Sequence, residues 1–131
     1  MKNLRRKNPL VSIIMPVYNA GDFLVEAIES IKRQTLKNWE LICINDGSTD
    51  NSKKILEKYA KKDKRIKVYN FSSNKGIAYA LNLGIDRAKG YYFARMDADD
   101  ISKPSRLKTQ IKYLKNNRLA VAVGSQLKLI D

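Results

Sequence analysis

The fold is constrained most by a regular alternation of short apolar, β-branched runs with longer segments that carry apolar residues at helical spacing. The strand-like runs are residues 11–18, 39–45, 66–71, 91–96 and 119–130. The spacing between them predicts helices over 22–34, around Ile55, Leu56 and Tyr59, and over 77–88 and 104–114. Because a helix between two strands is the usual crossover of a parallel pair, the sequence predicts an α/β fold. We expect a doubly wound, mostly parallel sheet with helices on both faces.

The length and hydropathy of the chain indicate one domain without a membrane span. Its 131 residues suffice for a single hydrophobic core. We interpret residues 1–10 as a basic N-terminal extension and residues 11–131 as one layered α/β unit. No apolar run approaches the roughly 18 residues that a membrane helix needs, and no signal-peptide pattern follows the basic start. The expected location is the cytoplasm, with peripheral contact at the inner face of the cell membrane as an option.

The strong positive charge predicts an anionic partner. The formal net charge is +13, with much of it in residues 53–67 and in the first seven residues. A solvated, lysine-rich face is the simplest interpretation, and attraction to anionic lipid or to a phosphorylated substrate is the alternative. Nucleic acid is not expected as a partner, because neither a stacking platform nor a helix-turn-helix pattern accompanies the charge.

Missing residue types restrict the chemistry. The chain has no histidine, which excludes a Ser-His-Asp triad or a histidine base within it. A single cysteine, Cys43, excludes an internal disulfide and a multi-cysteine zinc site. Since Cys43 lies in the apolar run "LICI", we expect it to be buried and inert. A metal would need oxygen ligands, which favours Mg²⁺ or Mn²⁺.

Three carboxylates within four positions follow the fourth strand-like run, in "YYFARMDADD". Strand alternation would place Arg95, Asp97 and Asp99 on one face, at the edge of the sheet where parallel α/β folds bind ligands. Like charges this close repel each other, so we expect a cation beside them. A divalent metal held by Asp99, with Asp97 next to it, could bridge a diphosphate. A turn and capping cluster before Pro104 is the structural alternative.

The second strand-like run ends in "NDGSTDNS", where Gly47 permits a tight turn and the following polar residues can cap a helix. These structural roles leave Asp46 unassigned. A carboxylate at a strand end can accept hydrogen bonds from a base or a ribose. The chain contains neither G-x-G-x-x-G nor G-x-x-x-x-G-K-[ST], so a nucleotide would be held in another way.

Four segments together resemble the successive motifs of family 2 glycosyltransferases of the GT-A type. They are "VSIIMPVYNAGDFLVEAIESIKRQT", "WELICINDGSTDNS", "NKGIAYALNLGIDRAKG" and "ARMDADDISKPSRL". The motifs follow in order from about Val11 to the C-terminus, which is more specific than any one of them alone. The resemblance implies a GT-A fold that binds a nucleotide-sugar.

The resemblance also implies roles for individual residues. Pro16 and Tyr18 of "PVYN", together with Asp46, match family positions around the base of the nucleotide. The family commonly has two acids where this chain has Asn45 followed by Asp46. The carboxylate of the second position is therefore kept, and that of the first is lost.

The diphosphate end of the implied donor site falls on the acidic motif. Asp97 and Asp99 match the family's Asp-x-Asp, whose last acid binds the metal on the donor diphosphate. Arg106 matches a basic position in the helix that follows. For Arg95, an ion pair with Asp97 is the simpler expectation, and contact with the donor phosphates is the alternative.

The resemblance implies metal-dependent, inverting transfer of a sugar from a nucleotide-diphosphate sugar, UDP-sugars foremost, to a saccharide or lipid-linked acceptor in cell-surface polysaccharide synthesis. In the family, the general base and the acceptor site come from a second half of the domain. We expect that half to be absent, with the base beyond residue 131, so that this chain alone is inactive. A non-catalytic nucleotide-sugar-binding module is one alternative. A receiver-like phosphoacceptor domain is another, but "LAVAVGSQL" lacks the lysine that it requires.

Overall fold

The computed structural model describes residues 8–130. Strands and helices alternate along the chain as expected. In order, they are β1 (Val11–Val17), α1 (Gly21–Lys32), β2 (Trp39–Asn45), α2 (Ser52–Lys62), β3 (Ile66–Asn70), α3 (Ile77–Arg87), β4 (Tyr92–Arg95) and α4 (Arg106–Asn116). Their boundaries differ from the predicted ones by a few residues at most.

The four strands form one parallel sheet in the order β3-β2-β1-β4. Val11 at the start of β1 is in register with Trp39 of β2 on one side and with Tyr92 of β4 on the other. The chain therefore builds the sheet outward from β1 in one direction and then returns to add β4 on the opposite side. This arrangement confirms the predicted α/β fold with a parallel sheet.

Apolar clusters cover both faces of the sheet. The larger cluster packs β1 and β2 against α1, α2 and α4, and it includes Leu24 and Leu107. The smaller cluster packs Ile42 and Ile44 of β2 against Ala80 of α3. Three helices thus lie on one face and α3 lies on the other, which confirms the expectation of helices on both faces.

A glycine lets α3 approach the sheet closely. A Cβ atom added to Gly84 would lie only 2.3 Å from Cγ2 of Ile14 in the central strand. Any side chain at this position would therefore push α3 away from β1.

The prediction of a fifth strand over residues 119–130 is wrong. None of these residues has regular secondary structure. Leu119, Val121, Leu127 and Leu129 are all more than 80% exposed. A strand needs a neighbour that satisfies its backbone groups and a layer that covers its apolar side chains. Within residues 8–130 no neighbouring strand and no covering layer is available to this segment. Its alternating apolar residues therefore do not form a strand.

The expectations for the chain start and for the cysteine have different outcomes. The first seven residues of the proposed basic extension lie outside the described part of the chain, and Leu10 already donates its N–H to the carbonyl of Asn38 at 3.0 Å.

Cys43 is fully buried in β2, and burial raises its pKa to about 12. The thiol is therefore protonated and inert, as predicted. No helix in residues 8–130 is long and apolar enough to cross a membrane.

A buried carboxylate organises the amino end of the sheet. Glu40 of β2 is 3% exposed and accepts hydrogen bonds from Oγ of Ser12 at 2.6 Å, from the backbone N–H of Lys89 at 2.7 Å and from Nζ of Lys67. Oγ of Ser12 in turn accepts the N–H of Gly90 at 2.8 Å. Burial by itself would raise the pKa of Glu40, but these hydrogen bonds outweigh it and the pKa lies below its ordinary value.

We expect Glu40→Gln to lower the free energy of unfolding by about 1–3 kcal/mol at neutral pH, because an amide cannot accept from all of these donors. Since the folded-state pKa of Glu40 is lowered, its stabilising contribution is present above the ordinary glutamate pKa. It is lost as the pH falls through the folded-state value. The difference in the free energy of unfolding between Glu40→Gln and wild type should therefore become smaller in acid. Urea unfolding at several pH values would measure it.

Glu57→Gln is the matched control. Glu57 is exposed on α2 and its carboxylate lies 4.0 Å from Nζ of Lys53, a surface pair that contributes little. Equal losses of stability in the two variants would contradict a special role for Glu40.

Candidate functional site

The structure brings the three predicted motifs to one edge of the sheet. The N–H of Asp46 bonds to the carbonyl of Val17 at 2.8 Å, and the N–H of Met96 bonds to the carbonyl of Ile14 at 3.1 Å. Each motif therefore begins where the strand ladder ends. The order of the strands reverses between β1 and β4, and open parallel sheets bind ligands at such a position.

The loop after β1 is clamped to the loop after β2. Asn19 has a positive φ of 48°, which is uncommon outside glycine. Its side-chain oxygen accepts the N–H of Thr49 at 2.8 Å, and its own N–H bonds to Oγ of Ser48 at 3.0 Å. These reciprocal bonds hold the two loops beside each other. Asparagine tolerates the left-handed region, so an asparagine directly after a strand indicates a turn of this kind. The sequence analysis did not use this signal at Asn19.

The residues expected to cap the next helix also hold the start of α1. Asp50 accepts the N–H of Ser52 at 2.9 Å, which confirms a capping role at α2. Its other oxygen accepts the N–H of Gly21, at the start of α1, also at 2.9 Å. Hydrogen bonds led by that from the Ser52 hydroxyl keep the pKa of Asp50 below its ordinary value. This carboxylate is therefore charged and occupied with structural bonds.

Pro16 and Tyr18 flank the last position of β1. Pro16 lies inside the strand, beyond the last residue that β4 pairs with, so its missing N–H leaves no ladder bond unmade on that side. Tyr18 follows the strand and is 52% exposed. Its ring is available at the ligand edge, where the sequence predicted a contact with a base.

Asp46 has a structural role that the sequence did not reveal. The residue is 4% exposed, and its two carboxylate oxygens accept the backbone N–H groups of Lys75 at 2.7 Å and Gly76 at 2.9 Å. It therefore ties the end of β2 to the loop that begins α3. A carboxylate has about four acceptor positions, so these two bonds leave capacity for a ligand.

The neutral residue before Asp46 also bridges two strand ends. The side-chain N–H of Asn45 bonds to Oδ1 of Asn70 at 2.8 Å, and its oxygen accepts the N–H of Ser48 at 3.2 Å. An amide can donate and accept at once, which an aspartate here would not do. The departure from the family pattern therefore serves the link between β2 and β3.

The acidic loop after β4 concentrates negative charge at the same edge. Arg95 is exposed, and its guanidinium lies 3.3 Å from Oδ1 of Asp97, which is the predicted ion pair. Asp99 and Asp100 are exposed, and the N–H of Asp100 bonds to the carbonyl of Asp97 at 3.2 Å. Partial loss of hydration first, and then repulsion by Asp97 and Asp99, raise the pKa of Asp100. Among the three acids, only Asp97 has an ion pair within the described residues, and a further cation would relieve the remaining repulsion.

Arg106 anchors the far side of this loop. It is the first residue of α4, and its Nη2 donates to the carbonyl of Arg95 at 2.9 Å. Burial lowers the pKa of Arg106, and the charge of Asp100 opposes that effect. The guanidinium is thus a half-buried positive charge beside the acidic loop.

The donor set suits a metal that arrives with phosphate groups. In residues 8–130, no group of three or more acidic, histidine or cysteine side chains is placed to hold a metal ion alone. Mg²⁺ usually takes one or two carboxylates and completes its shell with phosphates and water. Asp99 with Asp97 beside it fits that arrangement, because both supply hard oxygen ligands at an open edge.

The chain is similar in sequence to known glycosyltransferases. The family described as "Glycosyl transferase family 2" matches residues 12–129. An uncharacterized glycosyltransferase of Haemophilus influenzae is 48% identical over 122 residues, which cover 93% of this chain and 38% of the relative. The putative teichuronic acid biosynthesis glycosyltransferase TuaG of Bacillus subtilis is 41% identical over 106 residues, 81% of this chain and 42% of the relative. The chain therefore spans less than half the length of these relatives.

Solved structures share the fold. The S. aureus TarS 1-349 structure in complex with UDP-GlcNAc has a TM-score of 0.76 and 27% identity, over 82% of this chain and 32% of that one. A mannosyltransferase of Pyrobaculum calidifontis, PcManGT, in complex with GDP-Man and Mn²⁺, has a TM-score of 0.75 at 24% identity, over 82% of this chain and 33% of that one. These similarities show a GT-A-like arrangement, and the second shows the fold alone.

We expect Asp46→Asn to destabilise the chain by about 1–3 kcal/mol, because the new amide N–H₂ would face one of the two backbone N–H groups. Amide exchange at Lys75 and Gly76 should accelerate together with a lower Tm. Asp86→Asn, at an exposed position of α3, is the control and should change neither. Unchanged exchange at both amides in Asp46→Asn would show that these two bonds do not hold the loop.

Proposed function

The chain belongs to glycosyltransferase family 2, and on that premise we propose that it binds a nucleotide-diphosphate sugar at the carboxyl edge of its sheet. UDP-sugars are the foremost candidates. TarS, at 27% identity, was solved with UDP-GlcNAc, which supports this choice. A whole protein that contains this chain would transfer the sugar to a saccharide or lipid-linked acceptor in cell-surface polysaccharide synthesis. The name of TuaG, which refers to teichuronic acid biosynthesis, supports that setting.

One observation carries the proposal: a buried carboxylate at the end of β2 and an acidic loop after β4 lie at the same edge of the sheet, on either side of the end of β1. Asp46 at the end of β2 would accept a base N–H with its remaining lone pairs, and the exposed ring of Tyr18 would contact the same base. Pro16 shapes the strand end that precedes Tyr18. The clamp between Asn19 and the following loop would hold this part of the site in place before a ligand arrives.

The acidic loop would bind the diphosphate end of the donor. Asp99, with Asp97 beside it, would hold Mg²⁺ or Mn²⁺. Such an ion offsets the charge that develops on the departing nucleoside diphosphate. Arg106 adds a fixed positive charge beside the loop, and Arg95 keeps Asp97 paired.

We assign the general base and the acceptor site to a part of the protein outside this chain. The chain spans 38% of the H. influenzae relative and 42% of TuaG, and the acids at its ligand edge already have donor-side or structural roles. Transfer would be a single displacement that inverts the anomeric carbon, with the base activating the acceptor hydroxyl.

A non-catalytic nucleotide-sugar-binding module is the second candidate for this chain by itself. It is favoured by the same observation, because residues 8–130 contain the donor motifs and no residue that we can assign to an acceptor. Membership in the family removes the receiver-like phosphoacceptor domain from consideration.

The cationic surface of α2 fits a location at the inner face of the cell membrane. Five exposed lysines lie on this helix, and Glu57 is its only acid. Such a surface is attracted to anionic lipid by roughly 1 kcal/mol for each lysine near the bilayer. Peripheral contact would keep the ligand edge close to a lipid-linked acceptor.

We expect calorimetry to show that UDP binds more tightly in Mn²⁺ than in EDTA. Asp99→Asn keeps the shape of the side chain but removes its charge, so UDP affinity in Mn²⁺ should fall to the level in EDTA. Asp86→Asn should behave as wild type, because this exposed residue of α3 lies away from the proposed metal ligands. Equal affinity of wild type in Mn²⁺ and EDTA would contradict the proposed site.

Asp46→Asn separates the two ends of the site. Its loss of a base acceptor should weaken UDP binding both in Mn²⁺ and in EDTA, so the ratio of the two affinities should be retained. If Asp46→Asn and Asp99→Asn gave the same pattern of losses, the separate assignment of base and metal ends would be wrong.

The chain by itself should bind donor without transferring sugar to an acceptor. The physical reason is that residues 8–130 contain no side chain that we assign as the base for an acceptor hydroxyl. A radiolabelled UDP-sugar with a panel of saccharide and lipid-linked acceptors would test this, with a full-length relative as the positive control. Turnover on the order of 1 s⁻¹ or faster would show that the base lies within these residues.

A further inference from the structure

A buried polar cluster lies beneath the acidic loop, and the proposed function does not account for it. Gln34, two residues after the end of α1, is fully buried. Its side-chain N–H₂ donates to the carbonyl of Lys103 at 2.7 Å, to Oγ of Ser102 at 3.1 Å and, more weakly, to the carbonyl of Ser30 at 3.4 Å. Its side-chain oxygen accepts the N–H of Leu107 at 3.2 Å. One amide therefore bonds to both sides of the turn that begins α4.

Neighbouring bonds strengthen this link. The N–H of Ser102 bonds to Oγ of Ser30 at 3.0 Å, and that hydroxyl donates to the carbonyl of Ala27 at 2.7 Å. The N–H of Thr35 bonds to the carbonyl of Pro104 at 2.8 Å. The end of α1 and the residues just after it thus hold residues 102–107 through several hydrogen bonds. The bonded residues are 68 to 73 positions apart in the sequence.

Gln34 also supplies a cap that α4 lacks. Ser105, at the N-cap position of α4, makes no side-chain capping bond. The first turn of a helix has N–H groups without partners inside the helix, and Gln34 satisfies the one on Leu107. The start of α4 is therefore bonded by a residue from the segment that follows α1.

Burying a polar side chain at this position costs stability unless its hydrogen bonds are made. The cluster adjoins the apolar side chains of Ile31 and Leu107, which are both buried in the core. An unbonded amide here would destabilise the fold, and a leucine of similar volume would pack. The benefit of glutamine is therefore its directional bonds, which specify where the turn lies.

The position of that turn determines the position of the acidic loop. The loop leaves β4 at Met96, whose N–H is held by β1, and it ends at Ser102 in the cluster. Arg106, one turn further, closes the loop by donating to the carbonyl of Arg95. Asp97 and Asp99 lie between these two attachments. The distance of these two carboxylates from the end of β1 therefore depends on the attachment at Met96 and on the attachment at Ser102.

We propose that Gln34 is a positioning residue, which fixes the acidic loop and Arg106 so that the carboxylate of Asp99 reaches a metal-bound diphosphate. This inference rests on the proposed function, because it concerns the same site. It adds that the metal-dependent part of donor binding is set by a residue of the segment after α1, beneath the acidic loop.

The test measures UDP affinity in Mn²⁺ and in EDTA for wild type and Gln34→Leu. Gln34→Leu keeps most of the volume and removes every side-chain hydrogen bond. The ratio of the two affinities should fall about tenfold, while the affinity in EDTA stays near that of wild type. Amide exchange should accelerate over residues 97–107. A residue that only stabilised the fold would lower Tm without changing the ratio in the remaining folded protein.

Glu40→Gln is the matched control for lost stability. It breaks another buried polar network, at the opposite end of the same sheet. We expect it to lower Tm and to leave the Mn²⁺-to-EDTA affinity ratio at the wild-type value. A fall of the ratio in this control equal to that in Gln34→Leu would overturn the inference, because the effect would then follow stability alone.

Ser102→Ala provides a milder variant in case Gln34→Leu does not fold. It removes one acceptor of the amide and should reduce the ratio about threefold. If Gln34→Leu folds and keeps the wild-type ratio of UDP affinity in Mn²⁺ to that in EDTA, the positioning role is overturned and the proposed function stands. If Gln34→Leu does not fold, the same result in Ser102→Ala has the same meaning. A wild type whose affinity is the same in Mn²⁺ and EDTA overturns the proposed function and this inference together.

Discussion

The hydrogen bonding of β1 on both of its edges is the constraint on which the rest of the structure depends. β1 pairs with β2 over its whole length and with β4 over its first four residues, always in parallel. Parallel pairing places every strand end at the same edge, and the crossover helices must then lie on the faces. Because β4 pairs with only the first part of β1, the carboxyl end of β1 is left open beside the acidic loop. The ligand edge is a direct result of this unequal pairing.

The starts of α1, α3 and α4 are bonded by side chains that are distant in the sequence. None of the four helices has a capping bond from the side chain of its own N-cap residue. Instead, Asp50 bonds to the first N–H of both α1 and α2, Asp46 bonds to the turn before α3, and Gln34 bonds to α4. Except for the local bond between Asp50 and Ser52, each of these bonds also joins segments that are distant in the sequence, at the ligand edge or beneath it. Helix stability and the shape of the site are therefore parts of one hydrogen-bond network.

The sequence predicted the sheet well because buried strands need apolar residues wherever they lie. The predicted strand 39–45 has both ends correct, and the motifs at the strand ends lie at one edge of the sheet, as parallel strands require. The sequence could not reveal the role of Asp46 in the loop before α3, because its partners are 29 and 30 residues away. Gln34 was missed for the same reason. The fifth strand was wrong because apolar alternation requires a neighbour, and pairing is a property of the fold rather than of a segment.

The buried thiol of Cys43 makes the sheet itself open to kinetic study. Cys43 is the only cysteine of the chain, and it lies in the middle of a strand that has neighbours on both sides. Its side chain lies in the core cluster beneath α1 and α2, so a thiol reagent reaches it only when these helices move away from the sheet, since a protonated, enclosed sulfur does not react in place. The labelling rate then measures how often this face of the sheet is uncovered. The natural sequence thus carries its own probe of core opening.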